Sequence, residues 1–68
     1  MTNIGVYIKR KESKLLQREV AEKIGISNQS YYLKETGKRD FTIPEAKRLA
    51  ILYNCKLDDL FGREVNAQ

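Results

Sequence analysis

The sequence contains no histidine and no tryptophan, and only one cysteine and one proline. A single cysteine, Cys55, excludes a disulfide within the chain, and without histidine the common four-ligand zinc sites cannot be assembled from one copy. No serine or cysteine stands beside a plausible general base, so we predict a protein that is not an enzyme and holds no metal or cofactor. The stability of the domain must therefore come from packed helices.

Long apolar runs and export signals are missing as well. No stretch approaches the roughly 18 apolar residues of a membrane helix, and the segment after Met1 does not have the pattern of a signal peptide. We therefore expect a cytoplasmic protein without a membrane partner. The 68 residues suffice for one small domain and not for two. We predict a single domain over residues 1–68, with an ordered core at about 3–62 and a polar tail at 63–68.

Positive charge is present, and it is unevenly distributed along the chain. The net charge is +4. Residues 1–39 contain nine Lys or Arg and four Asp or Glu, a net charge of +5, whereas residues 40–68 contain four and five, a net charge of −1. A basic excess confined to one part of a chain is expected of a protein that faces phosphates there. The alternative is a basic surface that serves only solubility.

Apolar spacing predicts five helices and no strands. They run over residues 3–12, 17–24, 28 to 35 or 36, from a cap at Thr42 to Asn54, and over 56–61. The first helix places Ile4, Tyr7 and Ile8 on one face, the spacing of a stripe that packs on a core. The fifth helix is expected to turn Leu57, Leu60 and Phe61 inward.

The second and third predicted helices meet the physical requirements of a helix-turn-helix. Ala21 is small enough for two helices to cross closely, and Gly25 can supply a positive φ without a Cβ penalty. Ile26 is expected to fold back onto the core at the corner. Ser27 can then accept a hydrogen bond from a free backbone N–H and begin the third helix. All four features occur in order at the right spacing, which is stronger evidence than a pair of helices alone.

The segments Gln17–Ser27, Lys34–Arg39 and Leu57–Phe61 resemble the phage repressor/Cro-type helix-turn-helix family, and the resemblance covers roughly residues 4–61. It implies an all-α, compact five-helix repressor-like DNA-binding domain whose third helix is the recognition helix. The sequence around this helix is most similar to that of regulators from phages and integrated elements of Gram-positive bacteria. Three positions depart from the pattern. Leu16 replaces the Ser or Thr that usually caps the second helix, Lys9 replaces the apolar residue that is usual in the first helix, and Lys34 occupies a position that is often apolar.

The candidate DNA contacts are residues on and around the third helix that are polar or expected to be exposed. The outer face of this helix is expected to read bases with Asn28, Gln29, Tyr32 and Leu33, while Tyr31 turns inward. The candidates for phosphate contacts are Gln17, Ser30, Thr36, Lys38 and Arg39. Arg10 and Glu35 match a pair that forms an internal salt bridge in the family. Asn and Gln can pair bidentately with adenine, and a reading face without arginine favours a site that contains A·T pairs, although Lys34 could contact guanine.

These features predict a sequence-specific transcriptional regulator of the Cro-like or repressor type that binds double-stranded DNA in the major groove. Because one short helix reads only a few base pairs, we expect a two-fold symmetric operator and a homodimer, at least on DNA. The dimer would use the C-terminal helix and tail, around Leu57, Phe61 and Val65, or form only on DNA. No small-molecule effector is evident. The alternative is a protein-interaction module, an antitoxin or antirepressor with the same fold, which the apolar character of Tyr32 and Leu33 favours slightly.

Overall fold

The computed structural model describes the backbone of residues 2–65 and the side chains of residues 2–62. Five helices follow one another: α1 (Ile4–Glu12), α2 (Gln17–Ile24), α3 (Asn28–Glu35), α4 (Ile43–Leu52) and α5 (Leu57–Val65). No strand occurs among the described residues, and the predicted all-α fold is confirmed. α5 continues past its predicted end at Phe61, through Gly62. The end of the expected polar tail, residues 66–68, lies outside the described residues.

The start and the end of α4 are fixed by local hydrogen bonds and backbone conformation. Thr42 Oγ1 accepts from the Glu45 N–H at 3.2 Å, and Glu45 Oε1 accepts from the Thr42 N–H at 3.0 Å, which completes a capping box. Pro44 lies in the first turn, where a missing N–H removes no helical hydrogen bond. After α4, Asn54 adopts a left-handed φ of 51°, a conformation that asparagine tolerates better than most residues. The predicted cap of α4 is confirmed, and the helix ends at Leu52, two residues before the predicted end at Asn54.

The core contains side chains from all five helices. Its fully buried members are Val6, Val20, Ala21, Ile24, Tyr31, Leu49 and Leu60. Phe41, in the loop before α4, extends this core, because its ring centroid lies 5.9 Å from that of Tyr31 and 6.0 Å from that of Phe61. These tilted and edge-to-face aromatic contacts link α3 to α5.

The face of α1 that packs on the core is not the predicted one. Val6 is fully buried, whereas Ile4 and Tyr7 are 44% and 40% exposed. The reason is the close crossing of α1 and α5. An ideal Cβ on Gly5 would lie 2.1 Å from the carbonyl oxygen of Leu60, so the glycine side of α1 is the side that meets α5. This contact between distant parts of the chain rotates α1 away from the orientation that its apolar spacing indicates.

The prediction for α5 is confirmed for two of its three inward residues. Leu60 is buried and Phe61 packs partly against the core, but Leu57 is 39% exposed. Leu57 is the first residue of α5 and lines grooves on either side of it, next to α4. It therefore stands at the edge of the packed layer. None of the described helices combines the length and apolar content of a membrane span.

Candidate nucleic-acid interface

The corner between α2 and α3 has the predicted geometry. Gly25 ends α2 with a φ of 79°, and the Ile26 N–H donates to the Ala21 carbonyl at 3.0 Å, as in a left-handed helix end. No atom lies within 4 Å of an ideal Cβ on Gly25, so the backbone conformation and not space requires glycine. Ser27 Oγ accepts from the Ser30 N–H at 3.1 Å and caps α3. The four features that predicted this turn are confirmed.

The outer side of α3 presents the residues expected to read bases. Asn28 and Gln29 are exposed in the first turn, and Tyr32 is 44% exposed one turn later. Leu33 is half-buried at the edge of this side, and Tyr31 is fully buried as predicted. The structure therefore brings three of the four candidates onto one exposed surface, with Leu33 beside it. Two of them carry amides, each with a donor and an acceptor.

The basic candidates for phosphate contacts lie in the loop after α3. Lys38 and Arg39 are exposed, and Lys38 Nζ lies 5.7 Å from the centre of the Tyr32 ring, a cation–π distance. Thr36 Oγ1 donates to the Tyr32 carbonyl at 2.7 Å, so the Thr36 hydroxyl must rotate before it can donate to a phosphate. Ser30 is half-buried, and its N–H donates to the capping oxygen of α3, Ser27 Oγ. The ammonium and guanidinium of the loop are thus the groups most open to an anion.

A buried ion pair fixes the end of α3 to α1. Arg10 Nε donates to Glu35 Oε2 at 3.0 Å, and the two side chains are only 10% and 2% exposed. Arg10 Nη1 also donates to the Leu15 carbonyl at 2.9 Å. Burial alone would lower the pKa of Arg10, but the hydrogen bond and the negative charge of Glu35 outweigh it and raise that pKa. The pair that the resemblance implies therefore exists as a charged, desolvated contact.

Gln17 connects the same carboxylate to α2. Gln17 Nε2 donates to the second oxygen of Glu35, Oε1, at 2.7 Å. The amide group of Gln17 is thus held at the start of α2, and the free backbone N–H groups at the start of a helix favour the binding of an anion. Leu16 gives α2 no side-chain cap, while Glu19 Oε1 accepts from the Leu16 N–H at 2.7 Å. Glu35 therefore positions residues of two other helices around α3.

A second ion pair, which sequence reasoning missed, attaches α3 to α4. Lys34 Nζ lies 2.6 Å from Glu45 Oε1 and 2.8 Å from Glu45 Oε2, and each side chain is 11% exposed. Burial alone would raise the pKa of Glu45, but the hydrogen bond from Lys34 and the cap at Thr42 lower it. The sequence showed Glu45 as a helix-start residue and gave no signal for a partner 11 positions earlier. Because its ammonium is bound to Glu45, Lys34 does not belong to the exposed surface formed by Asn28, Gln29 and Tyr32.

Asn3 holds the carbonyl end of α3, a second contact that the sequence did not reveal. Its Nδ2 donates to the Lys34 carbonyl at 2.7 Å, and its backbone N–H donates to the Glu35 carbonyl at 2.8 Å. These two carbonyls are among the last four of the helix, which have no partner within it. α3 is therefore anchored at its C-terminal end by α1, α2, α4 and the residue that precedes α1.

Two tyrosine hydroxyls lie near this network without a hydrogen-bond partner among the described residues. They belong to Tyr31 and Tyr53, and both are buried. Burial, followed by the negative charge of Glu35, raises the pKa of Tyr53 to about 12 and also raises the pKa of Tyr31. Cys55 is half-buried, and burial raises the pKa of its thiol, so it has no feature of an activated nucleophile. Among the described residues, no group of three potential ligands could hold a metal ion.

Comparison with known families agrees with this geometry. A family model described as helix-turn-helix, of the Cro/repressor type, matches residues 6–60. The matched region contains α2, α3, α4 and the turn between α2 and α3, and it covers most of the chain. No curated protein and no solved structure matches the chain significantly. The resemblance deduced from the sequence is confirmed.

Proposed function

The chain belongs to the helix-turn-helix family of the Cro/repressor type, and from this premise we propose that it is a sequence-specific transcriptional regulator. Membership supports DNA binding in general. The proposal goes further, because it places α3 in the major groove and assigns the reading of bases to its outer side. The observation that carries it is the exposed, amide-rich surface of Asn28, Gln29 and Tyr32 on a helix that begins abruptly at Ser27.

The chemistry of this surface favours an operator that contains A·T pairs. The side-chain amides of Asn28 and Gln29 can each hold adenine N6 and N7, and Leu33 can contact a thymine methyl group. Guanine is most often bound by Arg or Lys. The only basic residue within α3 is Lys34, and its ammonium is occupied by both oxygens of Glu45. The possibility that Lys34 contacts guanine is therefore not favoured.

Phosphate contacts are proposed on either side of the reading surface. Lys38 and Arg39 lie exposed beyond the end of α3, and Gln17 lies at the start of α2, where Glu35 orients its amide. Ser30 and Thr36 complete the proposed set. Such contacts position a protein on duplex DNA without reading sequence, and they make affinity depend on salt.

A symmetric operator is the simplest target for a recognition helix of eight residues. One helix of this length reads only a few base pairs, so high affinity usually requires two half-sites about one turn apart. We propose that two copies bind such an operator, at least when DNA is present. Resemblance to phage and integrated-element regulators supports a Cro-like or repressor-type role as one cytoplasmic domain, independent of membranes and small-molecule effectors.

Selection of bound sequences from random duplex DNA, read at a low and a high salt concentration, tests the proposal. We expect an A·T-containing, two-fold symmetric consensus at both concentrations, with much weaker binding at high salt. Enrichment of no sequence by the folded protein would contradict the proposal. That outcome would favour a protein-interaction module, an antitoxin or antirepressor, for which the 44% exposed ring of Tyr32 would be the contact surface.

A further inference from the structure

The loop between α3 and α4, residues 36–42, carries the exposed basic side chains of Lys38 and Arg39. We call it the α3–α4 loop. Its first half is tied to α3, because the N–H groups of Lys38 and Arg39 both donate to the Leu33 carbonyl, at 2.8 and 3.1 Å. The next two backbone N–H groups of the loop donate to no carbonyl of the described residues. The second half of the loop must therefore be held by other contacts.

Glu45 is the residue that holds the far end of this loop. Its Oε1 accepts from the Thr42 N–H at 3.0 Å, so the carboxylate is fixed to the last residue of the loop. The same carboxylate binds the ammonium of Lys34 at 2.6 and 2.8 Å, and each of the two side chains is only 11% exposed. Salt screens a pair that is removed from water much less than an exposed one. The Lys34–Glu45 pair therefore joins the two ends of the segment that contains the loop.

This pair is the direct polar link between α3 and α4. α4 packs mainly on α2 and α5 and only slightly on α3. The aromatic contacts that begin at Tyr31 and pass through Phe41 end at Phe61, on α5 and not on α4. Among the residues that the structure describes, Lys34 and Glu45 form the only hydrogen-bonded contact between α3 and α4. The separation of the two loop ends therefore depends on this pair.

We propose that Lys34 and Glu45 are positioning residues for phosphate binding. Their pair holds the α3–α4 loop so that its two basic side chains reach the DNA backbone while α3 lies in the major groove. The proposal rests on the proposed function, which places α3 and the loop against DNA. The Lys34 ammonium is bound to α4, and Glu45 is buried, so both act through the loop and not by contact with DNA.

A positioning role of this kind has a distinct consequence for binding. Phosphate contacts orient a protein on the duplex and carry no sequence information. The pair should therefore set the affinity for every duplex and the dependence of that affinity on salt, and it should leave base preference unchanged. A residue that positions α3 itself would instead alter the preference for particular bases.

The double variant Lys34→Met/Glu45→Gln removes the pair and leaves the net charge at +4, because one charge of each sign is lost. Neither charge is left buried alone. A glutamine also completes a capping box, so the cap of α4 at Thr42 is kept. The matched control is Lys23→Met/Glu22→Gln, which makes the same changes at two exposed positions of α2. Lys34→Leu/Glu45→Gln is a second variant, and all measurements use a temperature at which circular dichroism shows every protein to be folded.

NMR relaxation of the backbone amides without DNA tests the restraint of the loop independently of DNA binding. An order parameter of about 0.85 marks a rigid backbone, and one below about 0.6 marks a flexible backbone. We expect the loop to be rigid in the wild type and in the control. In the double variant, Asp40 and Phe41 should become flexible, because their N–H groups donate to no carbonyl of the described residues. Gly25 and Ser27, at the corner between α2 and α3, should stay rigid in every variant.

Fluorescence anisotropy with a duplex that carries one half-site, at several salt concentrations, tests the effect on phosphate binding. Each phosphate contact that is lost makes the slope of log affinity against log salt shallower by about 0.9. We expect the double variant to lose one or both contacts of Lys38 and Arg39, so its slope should be shallower than that of the wild type by about 1–2. The control should keep the slope of the wild type. Selection from random duplex DNA should return the same consensus for all three proteins.

The outcomes separate this proposal from the proposed function. A folded double variant with the order parameters and the salt slope of the wild type would overturn the positioning role. So would a mobile loop with an unchanged slope, and so would a changed base preference, which would show that the pair positions α3 itself. If the loop becomes mobile as expected but the wild-type protein enriches no DNA sequence, Lys34 and Glu45 remain the restraint of the loop and the proposed function falls.

Discussion

Removal of one partner of the buried Arg10–Glu35 pair should cost the domain most of its stability. In Arg10→Met, the carboxylate of Glu35 keeps its hydrogen bond from Gln17 but loses its ion-pair partner, Arg10, at a side chain that is only 2% exposed. A buried charge without its partner costs about 3–5 kcal/mol. A domain of this size has a total stability of about 3–5 kcal/mol. We therefore expect Arg10→Met and Glu35→Gln each to unfold a large fraction of the protein at 25 °C.

The double variant Arg10→Met/Glu35→Gln should be more stable than the sum of the two single losses predicts, because it removes both buried charges together. Urea unfolding of all four proteins, followed by circular dichroism, gives the coupling free energy. A fixed concentration of trimethylamine N-oxide favours the folded state and keeps the single variants measurable. We expect a coupling of about 1–3 kcal/mol, the range found for residues in contact. Additive losses would show that the two charges do not depend on each other, and would refute the reasoning.

Three further results are expected. Gly5→Ala should lower the free energy of unfolding by about 1–3 kcal/mol, because the added Cβ would meet the backbone of Leu60. Gly62→Ala is the control, since its added Cβ would have its nearest contact at 3.3 Å. Equal melting temperatures of the two variants would contradict the close crossing of α1 and α5. Burial raises the pKa of Tyr53 to about 12 and raises that of Tyr31. The unfolded state therefore loses these two hydroxyl protons at a lower pH than the folded state, and the free energy of unfolding should fall as pH rises above about 10. Changing both tyrosines to Phe should flatten that fall in urea titrations, and an unchanged slope would show that the hydroxyls are not buried. If about six phosphates are neutralised, the slope of log affinity against log salt should be about −5, and a flat dependence in fluorescence anisotropy would remove the electrostatic part of the proposal.

The helix-turn-helix corner could be predicted from the sequence because its requirements are local. Glycine is required at Gly25 because of the positive φ of that residue alone, and Ser27 accepts a hydrogen bond from an N–H three residues later. The same holds for Thr42 and Glu45, which cap α4 within one turn. In each case the residue and the backbone group that it serves lie within a few positions of each other in the chain, so sequence spacing alone identifies the feature.

Contacts between distant segments account for what the sequence did not predict. The orientation of α1 depends on the approach of Gly5 to Leu60, and apolar spacing within α1 holds no information about a backbone 55 positions away. From the sequence, Lys34 is a possible base contact because it is the basic residue within the third helix. Its pairing with Glu45 depends on how α3 and α4 cross, which follows from the packing of the whole core.

The most direct test of base reading by α3 is the binding of two alanine variants to a panel of single-base operator changes. Gln29→Ala removes an exposed amide and should lose about 1–3 kcal/mol of discrimination at one position of each half-site, with other positions unchanged. Lys38→Ala is the matched control, because loss of a phosphate contact should weaken all duplexes about equally. If Gln29→Ala instead weakens every duplex equally and keeps each preference, α3 does not read bases through this residue. If neither variant changes DNA binding while both remain folded, the account of α3 as the recognition helix is contradicted.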